Sequence, residues 1–289
     1  MFQPFTRWFR LMFDRANPIA VREWRRQKGL FLLGSVLVPC LLIVYFSTSS
    51  FESDPQSFAS VVAATISMLC LSGGMGGIFF ASLYPSLSLL NSRLGDEMFE
   101  LVPLPANARV HGQLASGFPM TAFSFLLLLP FIIDPPKETL NTLFYESVQP
   151  PLWTVMVLLL AGQALSLYFL AFVSRVTTNG EAWAALVFSL LGFVLIFLPP
   201  IFTDYLMDTD LTYRAGPLGR FLAWCGIPII CLLIGLTGYF LARYHFSRKH
   251  ESFRRSMVVN IIVLVLWSPI SAFTIAVLHF LRVASPFIY

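Results

Sequence analysis

Seven apolar stretches, at about residues 29–47, 58–90, 110–133, 152–174, 183–203, 221–242 and 257–281, contain no Asp, Glu, Lys or Arg. An α-helix needs roughly 20 apolar residues to cross about 30 Å of hydrocarbon. The runs are continuous and do not alternate with period two, which favours helices over a barrel, since only these two structures satisfy the backbone in lipid. The expected fold is therefore all-α, a polytopic transmembrane helical bundle of about seven spans. Connections between the stretches are too short for a separate soluble domain, so the chain reads as residues 1–28, then one membrane domain over 29–289.

Charge divides by side. With the N-terminus in the cytoplasm, 15 of the 19 Lys and Arg fall inside, and 7 of the 15 Asp and Glu. That excess is the positive-inside pattern, which sets orientation and puts the C-terminus outside. The basic balance then reflects topology and anionic headgroups, not nucleic acid. The Arg243–Arg255 segment, read as a basic loop, is expected to fix topology and meet anionic lipid. Cys40, Cys70, Cys225 and Cys231 lie within apolar stretches without metal-ligand spacing, and read as small packing residues. Residues 1–28 are too charged for a cleavable signal.

Phe5, Trp8, Phe9, Met12 and Phe13 form one apolar stripe on a helix, with Arg7, Arg10 and Arg15 mostly off it. Such a segment lies in the interface plane. Asn17–Pro18 punctuates the chain, because proline suits the first turn of a new helix. A second, strongly basic helix over Ile19–Lys28 is expected to lead into the first span. Within the long second stretch, Gly73 and Gly77 form a small-xxx-small pair suited to close helix packing. Between the second and third stretches, Asn91–Gly112 carries Arg93, Asp96, Glu97 and Glu100, with Leu94, Met98 and Leu101 for an apolar face. That is longer than a plain connection requires and reads as a docking surface, with a solvated loop as the alternative.

No catalytic residue and no metal site is expected, because neither H-E-x-x-H nor G-x-S-x-G occurs. Charge-free spans also argue against an ion-coupled carrier, which places ionisable groups at midplane. A transporter of this kind must take its energy from another polypeptide.

Two segments carry a family resemblance. Asn17-Pro18-Ile19-Ala20-Val21-Arg22-Glu23-Trp24-Arg25-Arg26 resembles the N-P-x-x-x-R-E-x-R-R stretch before the first span of ABC transporter permeases of the type-2 export class. Gly95-Asp96-Glu97-Met98-Phe99-Glu100-Leu101-Val102-Pro103-Leu104-Pro105-Ala106, with Arg109 and Gly112-Gln113-Leu114, is similar to that class's coupling segment, with Phe99 in place of the usual Thr and Gln113 in place of Lys. The resemblance covers about residues 17–117. It implies an N-terminal amphipathic elbow, a six-span core and a coupling segment at about 91–109. The seventh stretch is then an added C-terminal helix, or one stretch is re-entrant. It further implies a dimer with a second permease copy or a related permease, in a bacterial inner membrane. Cytoplasmic ABC ATPase subunits would drive export and hold ATP and Mg, with no cofactor on this chain. On this reading Arg93, Leu94, Asp96, Glu97, Met98, Glu100 and Leu101 contact the ATPase, and Trp8, Arg22, Glu23, Arg25 and Arg26 seat the elbow at the interface. A non-transporting membrane scaffold of permease ancestry is the alternative.

Overall fold

The computed structural model describes residues 17–49, 58–93, 104–133, 151–176, 179–206, 217–248 and 252–267, and among them every regular element is a helix. Among the described residues, five segments are long and apolar enough to cross a membrane: Lys28–Ser47, Thr65–Asn91, Ala106–Pro130, Val155–Val173 and Pro228–Ser247. The chain is thus a multi-pass helical membrane protein. The two other expected spans, 183–203 and 257–281, run past the residues whose side chains are described.

Helix α1, Pro18–Arg26, starts where the sequence punctuation puts it. Asn17 is its N-cap and accepts from the Ile19 amide at 3.2 Å, Pro18 holds the first turn, and Arg25 and Arg26 complement the negative end of the helix dipole. Only Gln27 separates it from α2, Lys28–Ser49. The Gln27 amide donates to the Glu23 carbonyl at 3.1 Å and Phe31 to the Gln27 carbonyl at 2.8 Å, so helical bonding carries through the bend.

Helix α3, Phe58–Arg93, has 36 residues, about 54 Å at 1.5 Å per residue, and contains Pro85. The third apolar stretch is not one helix. It divides into α4, Ala106–Leu114, and α5, Phe118–Ile133, with a turn over 115–117. Helices α6, Pro151–Val173, and α7, Asn179–Leu206, follow. Helix α8, Pro217–Ser247, outruns the sixth stretch by a full turn, and α9 spans 253–267. The basic segment read as a loop is therefore largely helical. His245 lies inside α8 and is buried.

Contacts divide the chain into two compact units, Met1–Pro85 with His111–Gly162, and Ser86–Val110 with Gln163–Tyr289. In the first, Cys70 and Ile78 of α3 pack with Leu128 of α5 and Val155 of α6. Phe31 of α2 meets Phe123 of α5 at 5.7 Å between ring centroids. In the second, six consecutive residues of α6, Tyr168–Val173, are all buried. Gly238 of α8 lets two backbones touch there, because a Cβ on it would fall 2.7 Å from the Tyr168 amide nitrogen. Tyr168 packs on Phe172 at 4.9 Å, and Gly192 of α7 lies against its hydroxyl.

Candidate functional site

The coupling residues expected from the sequence, Leu94, Asp96, Glu97, Met98, Glu100 and Leu101, lie outside the described residues, as does Trp8. Arg93 closes α3, and its side chain is likewise outside them. What the structure does describe is the helix that follows this segment, α4, and the basic helix α1, together with the place where they meet.

Of the expected elbow residues, Arg25 and Arg26 are exposed on α1 and Arg22 is half-buried. Glu23 points the other way: it is buried, and its carboxylate receives Arg22 at 2.8 Å and stands 3.8 Å from Arg26. A buried carboxylate is tolerated when it is ion-paired and hydrogen-bonded. Arg22 therefore pairs with its neighbour Glu23 and neutralises it within α1. Trp24 extends the same face, meeting Phe118 at the head of α5 at 6.2 Å and Phe31 at 6.5 Å.

Two contacts fasten α1 to the third stretch. At Gly112 of α4, a Cβ would stand 2.8 Å from Ile19 Cβ and 3.2 Å from Asn17 Nδ2, so glycine is what lets the start of α1 lie flat on α4. At the other end of α1, the Gln27 side-chain amide donates to the carbonyl of Ser116, in the turn between α4 and α5. Both side chains are buried, as are Asn17, His111 and Gln113.

The turn closes on itself. The Ala115 amide makes the last α-type bond, to His111 at 3.0 Å, and those of Ser116 and Gly117 make tighter bonds three residues back, each at 3.0 Å. Ser116 Oγ donates to the Gln113 carbonyl at 2.6 Å, and the Thr121 amide picks up the Gly117 carbonyl at 3.1 Å as α5 begins. In an apolar medium an unpaired backbone group is costly. A side chain from 89 residues earlier in the chain serves one here.

Gly73 and Gly77, the pair expected to pack closely, differ in surroundings. A Cβ on Gly73 would make only ordinary contact with Leu127, at 3.5 Å, whereas one on Gly77 would press into Ser124, whose Cβ lies 3.3 Å away. Gly74, one residue on from Gly73, sits 2.6 Å from Leu128 Cγ by the same measure.

A second buried polar contact lies in the other unit. His245 of α8 shares a 2.8 Å hydrogen bond with Asn260 Oδ1 of α9, and both are buried. No group of three or more His, Cys, Asp or Glu close enough to hold a metal occurs among the described residues. The chemistry at the α1–α4 junction is that of fastening: a neutralised carboxylate, an amide bridge and aromatic edges.

Sequence reasoning missed Gln27, which reads as one polar residue in a basic run, and it missed the break. A signal was present: Ser116-Gly117-Phe118-Pro119 puts a glycine and a proline two apart inside an apolar run. Compared with known family models, curated proteins and solved structures, the chain matches none.

Proposed function

We infer that this chain is the membrane-spanning permease subunit of an ATP-driven exporter of the ABC type-2 class, energised by a separate cytoplasmic ATPase that docks at about residues 91–109. The observation that carries this reading is the double fastening of the third stretch to α1 and its C-cap, by Gly112 of α4 on Ile19 and by Gln27 on Ser116 in the turn after α4. A docking segment does mechanical work only if the helix that leaves it is held to something that moves with it. Here α4, which leaves that segment, is clamped to the basic helix before the first span. The seven apolar stretches, free of Asp, Glu, Lys and Arg, agree, since an ion-coupled carrier places such groups at midplane to carry the coupling ion.

On this reading seven spans cross a bacterial inner membrane with the N-terminus in the cytoplasm. The permease pairs with a second copy or a related permease, the partner ATPase holds ATP and Mg, and this chain catalyses nothing itself. Arg93, Asp96, Glu97 and Glu100 make the polar contacts to the ATPase, and Leu94, Met98 and Leu101 the apolar anchor. The decisive experiment is purification of the tagged chain in mild detergent, with mass spectrometry of its partners. A stoichiometric nucleotide-binding ATPase supports the permease, whereas other membrane subunits with no ATPase support a scaffold. Given the ATPase, E97K with E100K is expected to abolish its stimulation by the permease while the bundle stays folded. Undiminished stimulation removes the docking assignment.

A further inference from the structure

The turn in the third stretch does not stand alone. Gly117 lies against α3 at Ala81: a Cβ on Gly117 would fall 2.7 Å from the Ala81 carbonyl oxygen and 3.3 Å from Pro85 Cγ. The helical partner of the Ala81 carbonyl is the amide of residue 85, four positions on. That residue is proline, which has no N–H to give and whose ring crowds the carbonyl four residues back. The weak point of α3 and the break between α4 and α5 therefore face each other, both in the first unit. Each alone is an ordinary irregularity. Together they let both helices bend at one level without tearing the contact between them, because the third stretch meets Ala81 and Pro85 there with a glycine, which has no side chain to wedge.

We propose that Pro85 with Ala81, and Ala115–Gly117, form a paired hinge about which α4 and the end of α3 swing together, and that the Gln27–Ser116 hydrogen bond is its latch. Kinks in long helices arise at proline, at glycine and serine, or where a side chain enters the hydrogen-bond ladder, and all three occur here. Hinges are a few element-terminal residues that absorb a backbone change while the elements they join stay rigid. The elements on either side are rigid in this sense: α5 carries Leu128 in the packed core, and α4 is seated on Ile19 through Gly112. Gln27 is suited to a latch because a neutral amide gives up one hydrogen bond on opening, where a buried ion pair would leave two bare charges. Its place at the bend between α1 and α2 means that release at Ser116 also frees α1 to tilt. The hinge stands on the geometry above, and its use in coupling rests on the permease reading.

The test is hydrogen–deuterium exchange by mass spectrometry on the full chain in lipid nanodiscs. Gln27→Leu, which keeps bulk but cannot donate, is expected to speed exchange of residues 115–121 about tenfold, while residues 164–173 stay unchanged. Pro85→Ala, which restores an amide for the Ala81 carbonyl, is expected to slow exchange over residues 82–88 and, if the two breaks move as one, over 115–121 as well. Should Gln27→Leu loosen the whole chain, Gln27→Asn, one methylene shorter, replaces it, and exchange confined to 115–121 is again the expected result. Residues 115–121 as protected as the rest of α5 in the parent and indifferent to both substitutions would mean a fixed kink, and the hinge is then overturned. Exchange changed by Gln27→Leu but indifferent to the partner ATPase with nucleotide keeps the hinge and removes its role in coupling.

Discussion

Helices α2 and α6 are both apolar all round, yet they do opposite work. Only 11% of the apolar window of α2 is buried, against 56% for α6. Leu33, Val36 and Ile43 of α2 are more than 60% exposed, a face that the described residues leave open. The turn Tyr168–Val173 of α6 has no exposed residue at all. Hydropathy cannot tell these helices apart, because lipid and protein interior are equally apolar. The difference lies in how each is fastened. The first unit ties α1 and α2 down with a polar bridge from Gln27, the Gly112 contact on Ile19, and rings that meet edge-on or tilted. The second brings backbones into contact through glycine around one tyrosine. Polar fastening tolerates loss of a part, whereas backbone contact tolerates nothing larger than hydrogen.

The largest expected effect follows directly. Gly238→Leu drives a side chain into the backbone at Leu167 and Tyr168. It is expected to cost about 3 kcal/mol or more and to leave little folded protein by fluorescence-detected size exclusion. A folded, monodisperse product would show that α6 and α8 are further apart than described. Next comes Glu23→Ala, which leaves Arg22 half-buried without its carboxylate. A loss of about 2 kcal/mol is expected, discounted because Arg22 still reaches solvent. A lowered thermal midpoint in detergent is the readout, and a midpoint that does not move would place Glu23 in water.

Asn260→Leu should be milder, at about 1 kcal/mol, since hydrogen bonds between membrane helices are worth little more than this. Faster hydrogen exchange confined to residues 253–264 would locate the loss at α9. The smallest effects sharpen the comparison from within one motif. Gly76→Ala meets nothing within 4 Å and Gly73→Ala meets only a leucine methyl, so both should lie within about 0.5 kcal/mol of the parent. Gly77→Ala must displace Ser124, and should cost about 1 kcal/mol or more. Equal losses at all three would mean that α3 presents a different face to α5.

Much of this was legible in the sequence, for identifiable reasons. The punctuation at Asn17–Pro18 and the helix after it could be read because both depend on neighbouring residues alone. The segment 91–112 stood out by its length and charge, and its acidic residues lie outside the described residues. The direction of Glu23 was not legible: it sits among arginines that look like a headgroup-facing cluster, and only its neighbours in space show that it points inward. The break at 115–117 was written in Ser116-Gly117-Phe118-Pro119, but a strong apolar run around it reads as one span. Nothing marks Gln27 out, because its partner lies 89 residues away. His245, in a segment read as a basic loop, and Asn260, fifteen residues on, pair for a reason the sequence does not record.

Class, helical character and the five apolar segments long enough to cross a membrane followed from the sequence by itself, because each is a sum over a local window of side-chain transfer energies. Which helix is left open and which is enclosed, which glycine is a contact and which is open, and which polar residue answers another were decided only by tertiary structure. Those depend on pairs of residues far apart in the chain, and a linear sequence records the members of a pair without recording that they meet.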